Sequence, residues 1–193
     1  MRDVSVVAGV LAASLAYAVV RYNVFGDVSV EQIPVFVANK AISVASLAML
    51  GISGVVADKA RRKHAGLLGL ALALVHMMLS LLVLDPAYLP KHYLATGRMR
   101  WNGEASMLAG VVATVLVLWL GHVTTTRPAT AQVPGTSLVP GVGRVVLLLV
   151  ALHTLLLGYG AWLDVGGWPG AMPPITLLSF AGAIGFVVLR RRR

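Results

Sequence analysis

Residues 64–84, HAGLLGLALALVHMMLSLLVL, form a long apolar stretch that carries one ionisable side chain in its interior, His76. A helix of this length rises about 30 Å at 1.5 Å per residue, and the hydrocarbon core of a bilayer is about as thick. The stretch therefore predicts a transmembrane helix with an imidazole near its middle.

The composition of the whole chain also indicates a membrane protein. Of the 193 residues, 58% are hydrophobic and 12% are charged, whereas about a quarter of the residues in a soluble domain are charged. There is no cysteine, which excludes disulfides, thiolate metal sites and iron–sulfur clusters. We predict an all-α integral membrane bundle, a single domain over residues 1–193. Its six transmembrane helices are expected at about 4–20, 33–57, 65–84, 105–122, 145–163 and 175–189.

The distribution of basic residues predicts that both termini are cytoplasmic, because short cytoplasmic loops are enriched in lysine and arginine. With that orientation eleven of the sixteen basic residues lie on the inner side. They are Arg2, Lys59, Arg61, Arg62, Lys63, Arg127, Arg144 and Arg190 to Arg193. The terminal arginines are interpreted as a topology anchor, so we expect no nucleic-acid partner.

Two features of the chain path are predicted from local sequence. Turn-forming residues, namely Pro128, Pro134, Gly135, Pro140 and Gly141, place a loop before the fifth span. The first span ends in Ala16-Tyr17-Ala18, which also resembles the cleavage site of a signal peptide. Residues 1–20 are therefore either a retained span or a cleaved signal.

Two histidines lie at similar predicted depths. His76 is about 17 Å from the inner end of the third span, and His153 is about 12 Å into the fifth. Both spans run in the same direction, so the imidazoles can meet if the two helices are neighbours. One axial nitrogen from each side is what six-coordinate haem iron requires, and we predict His76 and His153 as the two protein ligands of a haem. The alternative is that each histidine only makes an interhelical hydrogen bond.

Small residues accompany His76 along one face of the third span. They are Gly66, Gly69, Ala73 and Ser80, and this stripe predicts either a slot for a flat macrocycle or a close packing seam. Ser80 and Thr154 are candidate partners that would fix the imidazole tautomers. The other three histidines, His64, His92 and His122, are predicted at span ends or in loops, and we assign them no role.

Lys40 is the third ionisable residue inside a span. Its stem is long enough to extend to the headgroups, which is the first interpretation. In the second, its ammonium pairs with a haem propionate. We include Lys40 among the cofactor-binding residues on the second interpretation.

Several stretches together resemble the ferric reductase-like transmembrane domain, a family of six-helix haem b cytochromes. They are Asn39-Lys40-Ala41, RRKHAGLLGLALALVHMMLSLLVL (61–84), GEASMLAGVVATVLVLWL (103–120) and GRVVLLLVALHTLLLG (143–158). The resemblance implies axial histidines on the third and fifth spans, at positions that match His76 and His153. Many members hold two haems through a second histidine on each of these helices. The fifth span here has no second histidine, so one haem is expected.

The resemblance also implies the haem-binding part of an oxidoreductase in a prokaryotic plasma membrane. The expected partners are the lipid bilayer and a separate electron donor or acceptor, which could be a protein, a quinone or ferric iron. A non-redox membrane partner or a permease is the alternative. A third possibility is an intramembrane serine protease, because Gly51-Ile52-Ser53-Gly54 followed by His153 resembles the rhomboid dyad.

Overall fold

A computed structural model describes residues 2–126 and 138–191 and is built from six long helices. These are α1 (Arg2–Val19), α2 (Ala38–Val55), α3 (Lys59–Leu82), α4 (Trp101–Thr126), α5 (Leu138–Trp162) and α6 (Ile175–Arg191). The described part contains no β-strand, and a single isolated bridge pairs Tyr93 with Met99. The prediction of an all-α chain with six helices is confirmed. The residues Arg127, Pro128, Pro134, Gly135, Arg192 and Arg193, used in the sequence analysis, lie outside the described residues.

All six helices are long and apolar enough to cross a membrane, which indicates a multi-pass membrane protein. Large apolar side chains are exposed along their outer surfaces, for example Met78 on α3, Leu108 on α4 and Leu148 on α5. Such surfaces suit a hydrocarbon environment, because lipid tails impose no cost on exposed aliphatic groups.

The helices pack as a ring of five with one helix outside it. Helix α2 packs against α3 and α6, α5 packs against α4 and α6, and a looser contact between α3 and α4 closes the ring. Helix α1 lies outside and packs on α2. Helices α3 and α5 are therefore not close neighbours, and they face each other across the centre of the ring.

The two ends of the bundle differ in their connections. One end, here called the terminal face, holds the Val56–Asp58 turn, the start of α1 and the end of α6. The other end, here called the loop face, holds the connections over 25–37, 83–100 and 163–174. At the terminal face Arg190 donates to the carbonyl of Leu50 and Arg144 donates to the carbonyl of Arg190. These bonds connect the ends of α2, α5 and α6.

Helices α3 and α5 differ most from the sequence analysis at their starts, which lie six and seven residues before the predicted ones. Helix α3 starts at Lys59, because the Asp58 side chain accepts a hydrogen bond from the Arg61 amide and caps the basic first turn. Helix α5 starts at Leu138 and includes Pro140 and Gly141. The prediction that these two residues belong to a loop is wrong. Proline is tolerated in a first turn because the amides there have no intrahelical acceptor.

Helix α1 is connected to the loop face through its last turns. A π-helical turn, Val20–Val24, extends α1, and Ala18 is fully buried in a cluster with Phe36, Ala41 and Ile175. The Tyr17 hydroxyl donates to the carbonyl of Pro173 at 2.7 Å. The segment that resembles a cleavage site is therefore packed against α2 and the start of α6.

The small residues of α3 form a packing seam at one end and line a cavity at the other. Near the terminal face the Ser46 hydroxyl of α2 donates to the Gly69 carbonyl at 2.9 Å. A Cβ added at Gly69 would lie 2.8 Å from Leu50 Cγ and 2.9 Å from the Leu50 amide nitrogen. Ala73 and Ser80 instead line the central cavity described below. The packing interpretation therefore holds for Gly69, whereas the part of the stripe with Ala73 and Ser80 faces a cavity.

This seam predicts opposite effects for two alanine substitutions on α3. In Gly69→Ala the new methyl group overlaps Leu50, and we expect a destabilisation of about 1–3 kcal/mol. In Gly66→Ala the methyl group would meet Ser53 at an ordinary 3.7 Å, and the better helix propensity of alanine adds up to about 1 kcal/mol. Thermal unfolding in detergent measures both, and equal melting temperatures would contradict the seam.

Candidate functional site

The centre of the ring contains a cavity of about 200 Å³. One water needs about 10–15 Å³ by a comparable measure, so the cavity is far larger than a packing defect. Residues from all five ring helices line it. Leu81 of α3 and Val111 of α4 are part of the lining and are also 63% and 57% exposed. The cavity therefore opens sideways, between the two loosely packed helices, toward the surface that faces lipid.

Most of the cavity wall is apolar, and the polar groups in it are few. The polar and ionisable lining residues are Asn39, Lys40, Ser43, Ser46, His76, Ser80, Thr114, His153, Thr154, Thr176 and Ser179. Both predicted ligand histidines and Lys40 are in this set, so the structure brings all three site residues to one cavity. An apolar cavity with a few polar groups is typical of a binding site for a small molecule or cofactor.

The ring of His76 is held by an asparagine on the neighbouring helix. Its Nδ1 lies 2.6 Å from Oδ1 of Asn39, which is buried on α2. The Asn39 amide nitrogen is 3.2 Å from the Ser80 hydroxyl, and that hydroxyl lies 3.4 Å from His76 Nδ1. Because the Asn39 oxygen can only accept, His76 carries its proton on Nδ1.

The ring of His153 is held in an equivalent way by α4. Its Nδ1 lies 2.8 Å from the backbone carbonyl of Ser106, to which it donates, and 2.9 Å from the Ser106 hydroxyl. The fully buried Ser106 hydroxyl donates in return to the His153 carbonyl at 2.9 Å. A carbonyl cannot donate, so the proton of a neutral His153 also lies on Nδ1.

Each imidazole therefore keeps a lone pair on Nε2. Within the residues that the structure describes, neither Nε2 atom has a hydrogen-bond partner, and both rings line the same cavity. No three His, Cys, Asp or Glu side chains converge in the described ranges. Haem iron takes four nitrogens from the porphyrin and needs only two ligands from the protein.

Gly110 on α4 leaves space beside His153. A Cβ at this position would lie 3.2 Å from Nδ1 and 3.4 Å from Cε1 of the ring. Such contacts are tighter than those that real side chains usually make, so a larger residue would displace the imidazole. Gly110 also lines the cavity, and its absence of a side chain sets the position of the ring.

Lys40 lies at the boundary between the cavity and a second space at the loop face. This second space, here called the vestibule, is an open cleft of about 1270 Å³ between the end of α1, residues 87–102, the end of α5 and residues 160–176. Lys40, Leu89, Leu157 and Thr176 line both spaces. The Lys40 ammonium lies 5.1 Å from the centre of the Phe36 ring, a cation–π contact.

The structure does not bring the two members of the rhomboid-like pair together. The Ser53 hydroxyl donates to the Leu50 carbonyl of its own helix at 2.7 Å, and Ser53 does not line the central cavity. His153 is hydrogen-bonded to Ser106 instead. A serine without a base in reach is not activated as a nucleophile.

Among the remaining histidines, His92 has a structural environment that the sequence did not predict. His64 and His122 are exposed, whereas His92 lines the vestibule and its Nδ1 atom is buried without a hydrogen-bond partner in the described chain. Partial burial lowers the pKa of His92. The nearby charges of Lys40, Lys91 and Arg100 lower it further.

Sequence reasoning predicted the tautomer partners in part. Ser80 does approach His76, but Thr154 bonds to the carbonyls of Val150 and Ala151 on its own helix. The prediction that Thr154 positions an imidazole is wrong, because a threonine in a helix readily bonds to the preceding turn. Asn39 and Ser106 were missed as partners. The sequence did contain a signal for them, because each is a polar residue inside a predicted apolar span.

Compared with known proteins, the chain matches no family model and no curated protein. The resemblance to ferric reductase-like domains therefore remains a prediction from the quoted residues. The contacts around the two histidines carry the argument for function.

The contact between Asn39 and His76 predicts a specific loss of stability. In Asn39→Ala, Nδ1 of a buried imidazole loses its partner, and we expect a cost of about 1–3 kcal/mol. Ser43→Ala is the matched control, since Ser43 lines the same cavity and bonds only to the Lys40 carbonyl of its own helix. Thermal unfolding in detergent compares the two, and equal losses would contradict a positioning role for Asn39.

The environment of His92 predicts a dependence of stability on pH. The pKa of His92 is lower in the folded protein than the usual value of about 6.5, so below that pH the unfolded chain binds more protons. Stability should then fall as the pH decreases from about 7 to 5. In His92→Gln this decrease should be smaller, whereas the exposed control His64→Gln should behave as wild type. Melting temperatures across this pH range test it, and identical curves for wild type and His92→Gln would refute it.

Proposed function

We propose that the protein is a membrane-embedded b-type cytochrome, with His76 and His153 as the axial ligands of one haem b. The observation that carries the proposal is that the two imidazoles have the same pattern of hydrogen bonding. Each is protonated and hydrogen-bonded at Nδ1, and each has an unpartnered Nε2 beside one apolar cavity. Haem, when bound, supplies a one-electron change at its iron.

The residues around the histidines determine how the ligands are presented. Asn39 and the Ser106 carbonyl accept from the two Nδ1 atoms, which fixes the tautomer and restricts ring rotation. Gly110 leaves room for the His153 ring, and the apolar wall from α2 to α6 keeps water away from the ligand nitrogens. The opening between α3 and α4 gives a flat molecule a route in from the side.

Lys40 would bind the acidic edge of the haem. It lies where the cavity meets the vestibule, and no carboxylate of the described residues lies within ion-pair distance of it. Haem carries two propionate carboxylates, and Lys40 would be the residue of the cavity lining that pairs with them. Pairing with an ammonium offsets the cost of taking a carboxylate out of water.

The electron partner and the orientation of the chain belong to this proposal. In the described ranges eight basic residues lie toward the terminal face and five toward the loop face. This favours a cytoplasmic terminal face in a prokaryotic plasma membrane. The vestibule would then open to the outside, and a separate oxidoreductase, a quinone or ferric iron would exchange single electrons with the site. The chain would act as the haem-binding subunit of that oxidoreductase.

A non-redox membrane protein is the competing function, and it accounts for the hydrogen bonds at Nδ1 but not for the two unpartnered Nε2 atoms. Asn39 and Ser106 satisfy the two imidazoles as ordinary packing partners would. In that case neither Nε2 atom would bind a metal, and the cavity would hold lipid chains or a transported solute. The two functions differ in one measurable property, the presence of a reducible haem.

Absorption spectra of the purified protein test the cytochrome. Protein from haem-replete cells should show a Soret band and, after reduction with dithionite, a sharp α band. We expect both bands to be lost in His76→Ala and in His153→Ala, because bis-histidine coordination needs both nitrogens. His64→Ala and His122→Ala, which alter exposed histidines, are the matched controls and should keep the bands. A colourless wild-type protein, or bands that survive either ligand substitution, would refute the proposal.

A further inference from the structure

The vestibule at the loop face is richer in positive than in negative charge. Five basic and three acidic side chains line it, namely Arg21, Lys40, Lys91, Arg98 and Arg100 against Asp27, Glu104 and Asp164. Two of the acids already have partners near them in the chain. Glu104 lies 3.7 Å from Arg98, and Asp164 accepts from the Gly167 amide. The cations deeper in the cleft are therefore not neutralised by these acids.

Arg21 is the most deeply buried of these cations. Only 6% of its surface is exposed, one of its amino groups donates to the Met172 carbonyl, and its Nε is buried without a partner in the described chain. No carboxylate among the described residues lies within ion-pair distance of it. A guanidinium remains charged and has five N–H donors, so this side chain has unused capacity to bind an anion.

Arg21 and Lys40 each contact one ring of the same aromatic pair. The Arg21 guanidinium is 5.7 Å from the centre of the Tyr22 ring, and the Lys40 ammonium is 5.1 Å from that of Phe36. The two rings pack edge to face with their centres 5.7 Å apart. Contacts with ring faces hold a cation in place but leave its charge unbalanced. The Arg21 charge therefore remains available to a ligand in the vestibule.

His92 adds a third polar group to the same space. Its buried Nδ1 has no partner in the described part of the chain, and His92 lines the vestibule together with Arg21. Buried polar groups are normally hydrogen-bonded. Two unpartnered nitrogens, Arg21 Nε and His92 Nδ1, thus occur in the lining of one cleft.

We propose that the vestibule binds an oxyanion, a carboxylate or phosphate group, through Arg21, with His92 as a further contact. The group would belong either to a soluble molecule or to the headgroup of an anionic lipid. This inference goes beyond the cytochrome and does not depend on it, because Arg21 and His92 are not axial ligands.

Titration with inorganic phosphate tests the soluble source. Purified protein in a maltoside detergent, which carries no phosphate, is titrated by calorimetry. We expect saturable binding that is weakened about tenfold in Arg21→Gln, the loss typical of one charge-assisted hydrogen bond. Arg61→Gln is the matched control, since it removes the same charge from an exposed site near the Val56–Asp58 turn, and it should bind as wild type.

Nanodiscs of defined composition test the lipid source. Replacing phosphatidylcholine with phosphatidylglycerol should raise the melting temperature of the wild type and of Arg61→Gln, but not that of Arg21→Gln. His92→Gln is a second test variant, because its side chain is less buried and its replacement disturbs folding less than that of Arg21. We expect it to weaken the response to phosphate or to phosphatidylglycerol, whichever is observed. Circular dichroism and monodisperse elution establish that each variant is folded.

The outcomes separate this inference from the cytochrome. A colourless preparation that binds phosphate or phosphatidylglycerol through Arg21 would refute the haem and support the anion site. Failure of both anions to bind would overturn the anion site, whatever the spectrum shows. Binding that is equal in wild type, Arg21→Gln and Arg61→Gln would overturn it as well.

Discussion

The hydrogen-bonding requirement of polar groups in an apolar interior is the constraint on which the site depends. A buried nitrogen or oxygen without a partner costs free energy, because neither lipid nor aliphatic side chains offer one. In this bundle Asn39 and Ser106 satisfy Nδ1 of the two histidines from adjacent helices. One nitrogen of each ring is thereby fixed and the other remains available as a metal ligand, which is the basis of the proposed haem site.

The bundle contains two spaces that differ in their chemistry. The central cavity is mostly aliphatic and opens toward lipid, whereas the vestibule at the loop face contains several unbalanced cations. Lys40 lies between them and belongs to both linings. A molecule with an apolar body and an acidic edge would match this arrangement, since its body would enter the cavity and its charge would remain near Lys40. The arrangement also explains how an anion could bind in the vestibule without entering the apolar centre.

The number and nature of the helices could be predicted from sequence because both depend on local properties. Span length and apolar content determine which segments cross a membrane, and these gave six helices as observed. Helix ends were less accurate. The start of α3 depends on the capping bond from Asp58, and Pro140 occupies the first turn of α5 where its missing amide costs nothing. A single capping contact does not change the hydropathy of a segment, so a helix start that depends on one is not visible in the hydropathy pattern.

Sequence by itself determined that ionisable groups at positions 40, 76 and 153 lie within apolar spans, since their cost in hydrocarbon depends only on residue type and depth. The tertiary structure decided which groups meet them. It placed Asn39 beside His76 and Ser106 beside His153, left Thr154 bonded within its own helix, and positioned Arg21 in the vestibule. These outcomes depend on which helices are neighbours in the ring. Helix neighbours are fixed by the packing of side chains from distant parts of the chain, which no local pattern specifies.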